Sequence, residues 1–213
     1  MRFADRTEAG RHLAAALSEH TFADPVVLAL PRGGVPVALE VARALHAPLD
    51  LFMVRKIGLP GQPEVAVGAV ADGDRPDLEI NADIAQAAGL DRLALVKLAE
   101  PELAEITRRR ALYMAGRQPV PLAGRTVIIV DDGIATGATV RVALRSLRRQ
   151  GVARLILAVP VAPPEALSGL RDLADQVICL STPRDFRAVG AYYADFAQLS
   201  DDDVTAMLKR SEG

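Results

Sequence analysis

The stretch VIIVDDGIATGATV, Val127 to Val140, decides the fold and carries the clearest chemical signal in the chain. Its first four residues are apolar and β-branched, which is typical of a strand buried on both faces of a parallel sheet. Two acids, Asp131 and Asp132, come next, and a loop of small residues follows them. A helical pattern begins near Gly137, so the stretch predicts a strand, a tight loop and a helix.

Apolar strands and helical patterns alternate on both sides of this stretch. We predict strands at residues 25–30, 49–54, 65–70, 126–131, 154–161 and 176–181. We predict helices at 6–19, 33–46, 81–116 in pieces with a restart at Pro101, 137–150, 163–174, and 200–211 with Ser200 as N-cap. Residues 55–64, rich in Pro and Gly, are predicted to be a loop. The alternation predicts an α/β fold, with a doubly wound, mostly parallel sheet and helices on both faces.

The length of 213 residues suits a single domain. We assign residues 1–213 to one domain with its core at about 20–181. Residues 81–116 and 182–213 are least like a sheet core, and we expect a small helical or irregular cap there, over the active edge or at an oligomer contact.

Composition narrows the class of protein. Half of the residues are hydrophobic and the net charge is −2, which indicates a folded soluble chain without a general attraction to nucleic acid or anionic membranes. No apolar run reaches the roughly 18–20 residues of a membrane helix, and the first twenty residues lack the core of a signal peptide. The single cysteine, Cys179, excludes an intrachain disulfide and is expected to be buried. We therefore expect a cytoplasmic protein.

The loop from Gly133 to Thr139 is suited to binding a phosphate. Its backbone N–H groups can point toward one anion, and the helix that begins near Gly137 adds the positive end of its dipole. The hydroxyls of Thr136 and Thr139 can donate to the same anion. The Gly-Lys-Ser/Thr ending of a Walker loop and the G-x-G-x-x-G dinucleotide pattern are both absent from the sequence.

Asp131 and Asp132 would repel a bare phosphate, so they favour a different part of the same ligand. A sugar diol donates hydrogen bonds to carboxylates, and Mg²⁺ carried by the ligand would also be attracted. The pattern therefore suits a sugar with a phosphate at one end and metal-bound oxygens at the other. The simpler alternative, acids that favour a helix dipole, accounts for one acid of the two.

This stretch resembles the phosphoribosyl-pyrophosphate (PRPP) signature of type I phosphoribosyltransferases. The resemblance implies that the two acids bind the ribose 2′ and 3′ hydroxyls, that the loop holds the 5′-phosphate, and that Mg²⁺ is held mainly by PRPP near Asp131 and Asp132. The PRPP-binding residues would be Asp131, Asp132, Gly133, Ala135, Thr136, Gly137, Ala138 and Thr139.

LPRGGVPVALEVARAL, residues 30–45, is similar to the family's pyrophosphate loop. The resemblance implies that Arg32 and the amides of Gly33 and Gly34 bind pyrophosphate, and that the Pro31–Arg32 peptide is cis. An ordinary Pro-Gly turn is the alternative.

VRKIGLPGQPE, residues 54–64, looks like the start of the family's mobile catalytic loop. Arg55 and Lys56 would then close over the pyrophosphate and exclude water. The alternative is a solvated pair of basic residues.

PRDFRAVGAYYADF, residues 183–196, is loosely similar to the base-binding edge of hypoxanthine-guanine enzymes, with a spacing that differs by one residue. Phe186, Val189, Tyr192 and Asp195 are the candidates for contact with a base. The alternative is that these aromatic residues fill the edge of a core.

TRRRALYMAGR, residues 107–117, holds a basic cluster with Tyr113. On a helix its arginines would form a solvated face, with a subunit contact or an extra anion site as alternatives.

Two departures from the family pattern limit the choice of substrate. The 6-oxopurine enzymes carry an acid where this chain has Ala135, and a lysine on the next strand, where this chain has LAVPVAPP. No hypoxanthine or guanine substrate is therefore assigned, and the chain looks most like an uncharacterised bacterial branch of the family.

The resemblance implies an Mg²⁺-dependent phosphoribosyltransferase that moves the 5-phosphoribosyl group from PRPP to a nitrogenous base and releases pyrophosphate. Its catalytic residues would be Arg32, Lys56, Asp131 and Asp132, and no general base is identifiable. We expect a homodimer that binds neither nucleic acid nor membranes. A PRPP-sensing regulator with little or no activity, and an unrelated sugar-phosphate binder, are the alternatives.

Overall fold

The computed structural model describes residues 1–73 and 77–210. Its main sheet has five parallel strands in the order β2-β1-β6-β7-β8. The strands of this sheet are β1 (Pro25–Ala29), β2 (Leu49–Leu51), β6 (Thr126–Val130), β7 (Arg154–Val161) and β8 (Gln176–Ser181). The helices are α1 (Arg6–Ser18), α2 (Gly34–Leu45), α3 (Ala82–Ala87), α4 (Arg92–Tyr113), α5 (Ala138–Arg149), α6 (Pro164–Ser168) and α7 (Asp201–Arg210).

Helices cover both faces of this sheet, which confirms the predicted fold class. Alternate residues of the central strand β6 belong to two different apolar clusters, because successive side chains of a strand point to opposite faces. Ile128 packs in the cluster that contains α1 and α2, and Val127 packs in the cluster that contains α5. All five residues of β6 are buried, as the apolar run from Val127 to Val130 predicts for the last four.

Residues 55–64 are not the loop that the sequence predicted. They belong to a second, antiparallel sheet made of β3 (Val54–Leu59), β4 (Gln62–Ala71) and β5 (Asp77–Ile80). Leu59 pairs with Gln62, so Pro60 and Gly61 form a tight two-residue turn, with Gly61 at a φ of +80°. The Pro and Gly residues mark a hairpin turn of two residues rather than an open loop. The predicted strand 49–54 is accordingly divided between the two sheets.

Two predicted helices also have different bounds. Helix α4 continues through Pro101 without a restart, because buried residues on both sides of the proline, such as Ala99 and Ile106, anchor the helix to the core. Helix α6 ends at Ser168, well before the predicted end at residue 174. Ser200 is the N-cap of α7, as predicted, since its hydroxyl oxygen accepts from the Asp203 N–H at 3.1 Å.

Buried residues extend beyond 20–181 at both ends of the chain. Leu13 and Leu17 of α1 and Val204 of α7 are buried in the same cluster as the main sheet. Phe3 forms a parallel bridge with Tyr193, which joins the segment before α1 to the segment after β8. In the part of the chain that the structure describes, no helix is long and apolar enough to cross a membrane.

Candidate functional site

The loops after β1 and β6 meet at the carboxyl edge of the sheet, where ligands of open parallel sheets bind. The two strands are neighbours, and the Leu30 N–H donates to the Val130 carbonyl at 2.9 Å. A Cβ on Gly34 would lie 2.6 Å from that carbonyl oxygen, and one on Gly33 would lie 2.1 Å from Oδ2 of Asp132. Glycine alone permits this approach, so the two predicted loops form one site.

The loop after β6 encloses a small hollow of about 140 Å³, lined by Asp131 and residues 133–140. Gly137 has a φ of +76° and no side chain that could cap α5. The first turn of α5 therefore directs its N–H groups and dipole into the hollow. The size and the donors suit one phosphate group.

The paired carboxylates are partly buried, and Asp131 lines this hollow. The pKa of Asp131 is raised well above its ordinary value, mainly by burial and secondly by repulsion from the charge of Asp132. Burial also raises the pKa of Asp132, although the hydrogen bond and charge of Arg6 oppose that rise. Oδ1 of Asp131 accepts from the Asp132 N–H at 2.9 Å. Hydroxyl donors or a cation from a ligand would stabilise the charged forms of both acids.

Arg6 is a residue of the site that the sequence analysis missed. Its Nε donates to Oδ2 of Asp132 at 2.8 Å, and both side chains are almost fully buried. Its guanidinium carbon lies 3.8 Å from the ring centroid of Phe196, and its Nη1 donates to the Ala197 carbonyl at 2.9 Å. The first turn of α1 thereby fixes the rotamer of one of the two acids.

Residues 193–201, which we call the C-terminal strap, run past both loops. The Tyr193 hydroxyl donates to the Asp132 carbonyl at 2.5 Å, and burial raises the pKa of this tyrosine. At the other end of the strap, Asp201 pairs with Arg32 of the loop after β1 at 3.4 Å. The strap therefore contacts one predicted catalytic residue from each loop.

The Pro31–Arg32 peptide is cis, as the resemblance implied. The Arg32 side chain runs toward α4 and α7, where Asp201 also accepts from the Tyr113 hydroxyl at 2.5 Å and from Arg108 at 3.3 Å. The arginine is thus held between the loop and the two helices.

Arg55 and Lys56 lie on β3 rather than in a mobile loop. Arg55 pairs with Glu102 of α4. Lys56 is exposed and lines a cavity of about 320 Å³ together with Ala138 and Thr139. The structure therefore brings Lys56 to the start of α5 and pairs Arg55 with α4.

The four residues predicted to contact a base lie in different surroundings. Val189 lies against the acidic loop, since a Cβ on Gly133 would be 2.6 Å from its Cγ1. Phe186 stacks on Tyr192, with ring centroids 5.5 Å apart and an interplanar angle of 14°. Asp195 is exposed, and its carboxylate accepts from the Ala197 N–H at 3.0 Å. Val189 is thus the candidate that lies against Gly133, the residue that follows the two acids.

The basic cluster at 107–117 is not a uniformly solvated face. Arg110 reaches into the interior and binds the buried carboxylates of Asp50 and Asp72. Burial raises the pKa of Asp72 despite the opposing charge of Arg110. Arg108 and Arg109 both pair with Glu105 on their own helix.

A larger cavity, of about 600 Å³, lies away from the two acids and the loop after β6. It is lined by residues such as His46 and Leu49, at the end of α2 and the start of β2, and so opens at the opposite edge of the sheet. The smaller hollow is the better candidate because glycine-rich backbone, acids and a helix N-terminus converge there. Within residues 1–73 and 77–210, no group of three or more His, Cys, Asp or Glu side chains could hold a metal ion.

Comparison with known proteins gives a match over most of the chain. The model of the family described as "Phosphoribosyl transferase domain" matches residues 4–196. The Mycobacterium tuberculosis protein named "Putative phosphoribosyl transferase Rv0571c" is 47% identical over 210 residues, which cover 98% of this chain and 47% of that protein. The chain thus spans about half the length of the curated relatives it matches.

Solved structures are also similar. The crystal structure of the Thermus thermophilus protein TT1426 has a TM-score of 0.86 at 45% identity and covers 100% of both chains. A hypothetical protein from Neisseria gonorrhoeae, solved with bound ppGpp, has a TM-score of 0.54 at 13% identity and covers 99% of this chain and 98% of that one. The second likeness concerns the fold alone.

Proposed function

The chain belongs to the phosphoribosyl transferase domain family, and from this premise we propose that it transfers the 5-phosphoribosyl group of PRPP to a nitrogenous base and releases pyrophosphate. The observation that carries the proposal is the junction of two loops at one sheet edge. One loop pairs two partly buried acids with a phosphate-sized hollow, and the other brings Gly33 and Gly34 against that loop.

In the proposed reaction, a nitrogen lone pair of the acceptor forms a bond to C1′ of the ribose. The bond from C1′ to the pyrophosphate oxygen breaks, and its electron pair leaves with pyrophosphate. Positive charge that develops on the ribose ring lies near Asp131 and Asp132, whose carboxylates stabilise it. The proton lost by the acceptor nitrogen has no side-chain base assigned to it.

The other proposed catalytic roles are to position the ribose for reaction and to stabilise the departing pyrophosphate. The loop from Gly133 to Thr139 fixes the 5′-phosphate through backbone N–H groups, which aligns C1′ with the acceptor. Arg32 and Lys56 supply positive charge to the departing pyrophosphate, and Gly33 and Gly34 supply its backbone donors.

The donor set suits a divalent cation that arrives with the ligand. Asp131 is a buried carboxylate with a raised pKa, and a cation nearby would favour its charged form. Mg²⁺ held mainly by PRPP would lie near Asp131 and Asp132. It would supply positive charge that neutralises pyrophosphate oxygens as they leave.

The acceptor site is proposed at the edge formed by residues 183–196. Val189 is close to the acidic loop, and the stacked pair of Phe186 and Tyr192 provides a flat apolar surface near it. Ala135 offers no carboxylate to an acceptor nitrogen. The proposal therefore extends to a nitrogenous base and not to a particular one.

We also propose that the protein acts in the cytoplasm as a homodimer, without nucleic acid or membrane partners. Leu93 and Val96, one turn apart on the outer side of α4, are exposed apolar residues that suit a subunit contact. Sedimentation analysis of the wild type and of Leu93→Asp would test this contact.

A PRPP sensor with little or no transferase activity is the second candidate function. One observation favours it, because the basic residues Arg32 and Arg55 are both paired with acids of the same chain, Asp201 and Glu102. In a sensor, this pairing would leave the leaving group with less positive charge.

A screen for pyrophosphate release tests the proposed function. The protein is incubated with PRPP, Mg²⁺ and each of a panel of purine, pyrimidine and other nitrogenous bases, and pyrophosphate is measured. Release that depends on one base supports the transferase. PRPP binding without release for any base supports the sensor, and no PRPP binding at all would contradict both.

A further inference from the structure

The first turn of α7 presents a carboxylate to a cluster of donors from two other parts of the chain. Asp201 Oδ1 accepts from the Tyr113 hydroxyl at 2.5 Å and from Arg32 at 3.4 Å. Asp201 Oδ2 accepts from Arg108 at 3.3 Å. The hydrogen bond from Tyr113 lowers the pKa of Asp201, so this side chain is an anion at neutral pH.

The donors have the composition of a site for a phosphate-bearing ligand. Two guanidinium groups and a hydroxyl converge on one pair of oxygens, and phosphate oxygens accept from the same donors. The cluster is open to solvent, since the side chains of Arg32 and Arg108 are 29% and 53% exposed. Burial raises the pKa of Tyr113 to about 12, so its hydroxyl stays a donor.

Helix α7 does not depend on the observed position of the Asp201 side chain. The helix is capped by Ser200 and Asp203, because Oδ2 of Asp203 accepts from the Ser200 N–H at 2.8 Å and the Ser200 hydroxyl accepts in return from the Asp203 N–H. Val204 and Leu208 anchor the helix in the core. A change of the Asp201 rotamer would therefore open the donor cluster while the backbone of α7 stays in place.

We propose that Arg32, Arg108 and Tyr113 form a subsite for the pyrophosphate end of a ligand, and that Asp201 fills this subsite in the ligand-free protein and leaves it when the ligand binds. The identity of the ligand rests on the proposed function. The subsite adds two donors from α4 to the pyrophosphate loop, and it makes the affinity for pyrophosphate depend on the carboxylate of α7.

Calorimetric titration with inorganic pyrophosphate and Mg²⁺ tests the displacement. If the subsite is open in about a tenth to a third of the molecules, removal of the competing carboxylate tightens binding about three- to tenfold. We expect this gain for Asp201→Asn and for Asp201→Ala, which removes the acceptor atoms as well. Asp202→Asn is the matched control, because it removes the same charge from an exposed neighbour in the same turn.

Equal affinity in the wild type and both Asp201 variants would overturn the proposal, and so would the same gain in Asp202→Asn, since that result indicates a general charge effect. Weaker binding in Asp201→Asn, with an unchanged melting temperature, would show that Asp201 positions Arg32 instead of competing for it.

A second substitution tests the donors themselves. In the Asp201→Asn background, Tyr113→Phe removes one hydroxyl and should weaken pyrophosphate binding about three- to tenfold. Unchanged affinity would remove Tyr113 from the subsite.

A titration with PRPP separates this inference from the proposed function. PRPP binding by the wild type without any effect of Asp201 would leave the proposed function standing and overturn the subsite. A gain in pyrophosphate affinity in Asp201→Asn, without PRPP binding by any variant, would do the reverse.

Discussion

The loop after β6 contains Asp132 and the C-terminal strap, residues 193–201, contacts it, but the two segments are built in different ways. The loop depends on backbone, since Gly33 and Gly34 of the neighbouring loop approach it within distances that exclude a side chain. The strap is held by backbone and side chains together. Tyr193 forms a backbone bridge with Phe3, and its hydroxyl donates to the Asp132 carbonyl. Phe196 lies against the guanidinium of Arg6, and Asp201 pairs with Arg32. The approach of the two loops therefore tolerates no side chain, whereas the strap is attached through several contacts with segments far away in the sequence.

The largest expected effect comes from the acids of the loop. Asp131→Asn combined with Asp132→Asn should lower turnover by about 10³-fold, because two charges opposite the developing positive charge are lost. Steady-state pyrophosphate release measures the effect, and circular dichroism should show an unchanged fold. Asp172→Asn, an exposed acid, is the control and should leave turnover within twofold of the wild type. Comparable losses in both proteins would contradict a special role for the pair.

A methyl group added at Gly34 should disrupt the close backbone contact between the loops after β1 and β6. In Gly34→Ala the new Cβ would lie 2.6 Å from the Val130 carbonyl oxygen, so one loop must shift. A shift of this size should lower kcat/KM about 10²-fold. Gly169→Ala is the control, because the nearest atom there is the flexible guanidinium of Arg141. Full activity in Gly34→Ala would show that the close approach is dispensable.

A smaller effect is expected where the strap and the loop are joined by Arg6. Arg6→Gln should lower turnover about tenfold, because it frees the Asp132 rotamer, and should lower the melting temperature by about 2–4 °C for each 1 kcal/mol lost. Arg11→Gln on the same helix is the control, since the Arg11 side chain is 70% exposed. A loss of stability without any loss of turnover would limit Arg6 to a structural role.

The smallest effect concerns stability and pH. Folding raises the pKa of Asp131, so this residue favours the folded state while protonated, and that contribution is lost as pH rises from the ordinary value of 3.8 through the raised one. Asp131→Asn, which cannot ionise, should therefore melt about 2–4 °C higher than the wild type at neutral pH. The difference should shrink as the pH falls toward 3.8. A difference that is constant with pH would contradict this assignment.

The loop after β6 was easier to predict from the sequence than the contacts of the strap. The strand, acids and glycines of residues 127–140 are adjacent in the chain, so their pattern alone predicted the strand, the loop and the helix that enclose the hollow. The contact between Arg6 and Asp132 joins residues 126 positions apart, and nothing in the helical pattern of α1 marks that arginine. The contacts of Asp201 could not be predicted from the sequence either, because an acid in the first turn of a helix is common.

The hairpin of β3 and β4 was missed for a different reason. Pro60, Gly61 and Pro63 within a few residues are typical of a loop, and the pairing of Leu59 with Gln62 depends on the partner strand rather than on local preference. Lys56 was a predicted site residue, and the structure places it in one cavity with Thr139 because of how the hairpin packs on α5. Its role in catalysis stays a prediction.

The most direct test of the central claim is a calorimetric titration of PRPP into the protein in the presence of Mg²⁺. The claim is that the acids and hollow of the loop after β6 bind PRPP. The wild type and Asp172→Asn should bind with similar affinity, and the Asp131→Asn and Asp132→Asn double variant should bind at least tenfold more weakly. Equal binding by all three proteins, or no binding by the wild type, would contradict the claim.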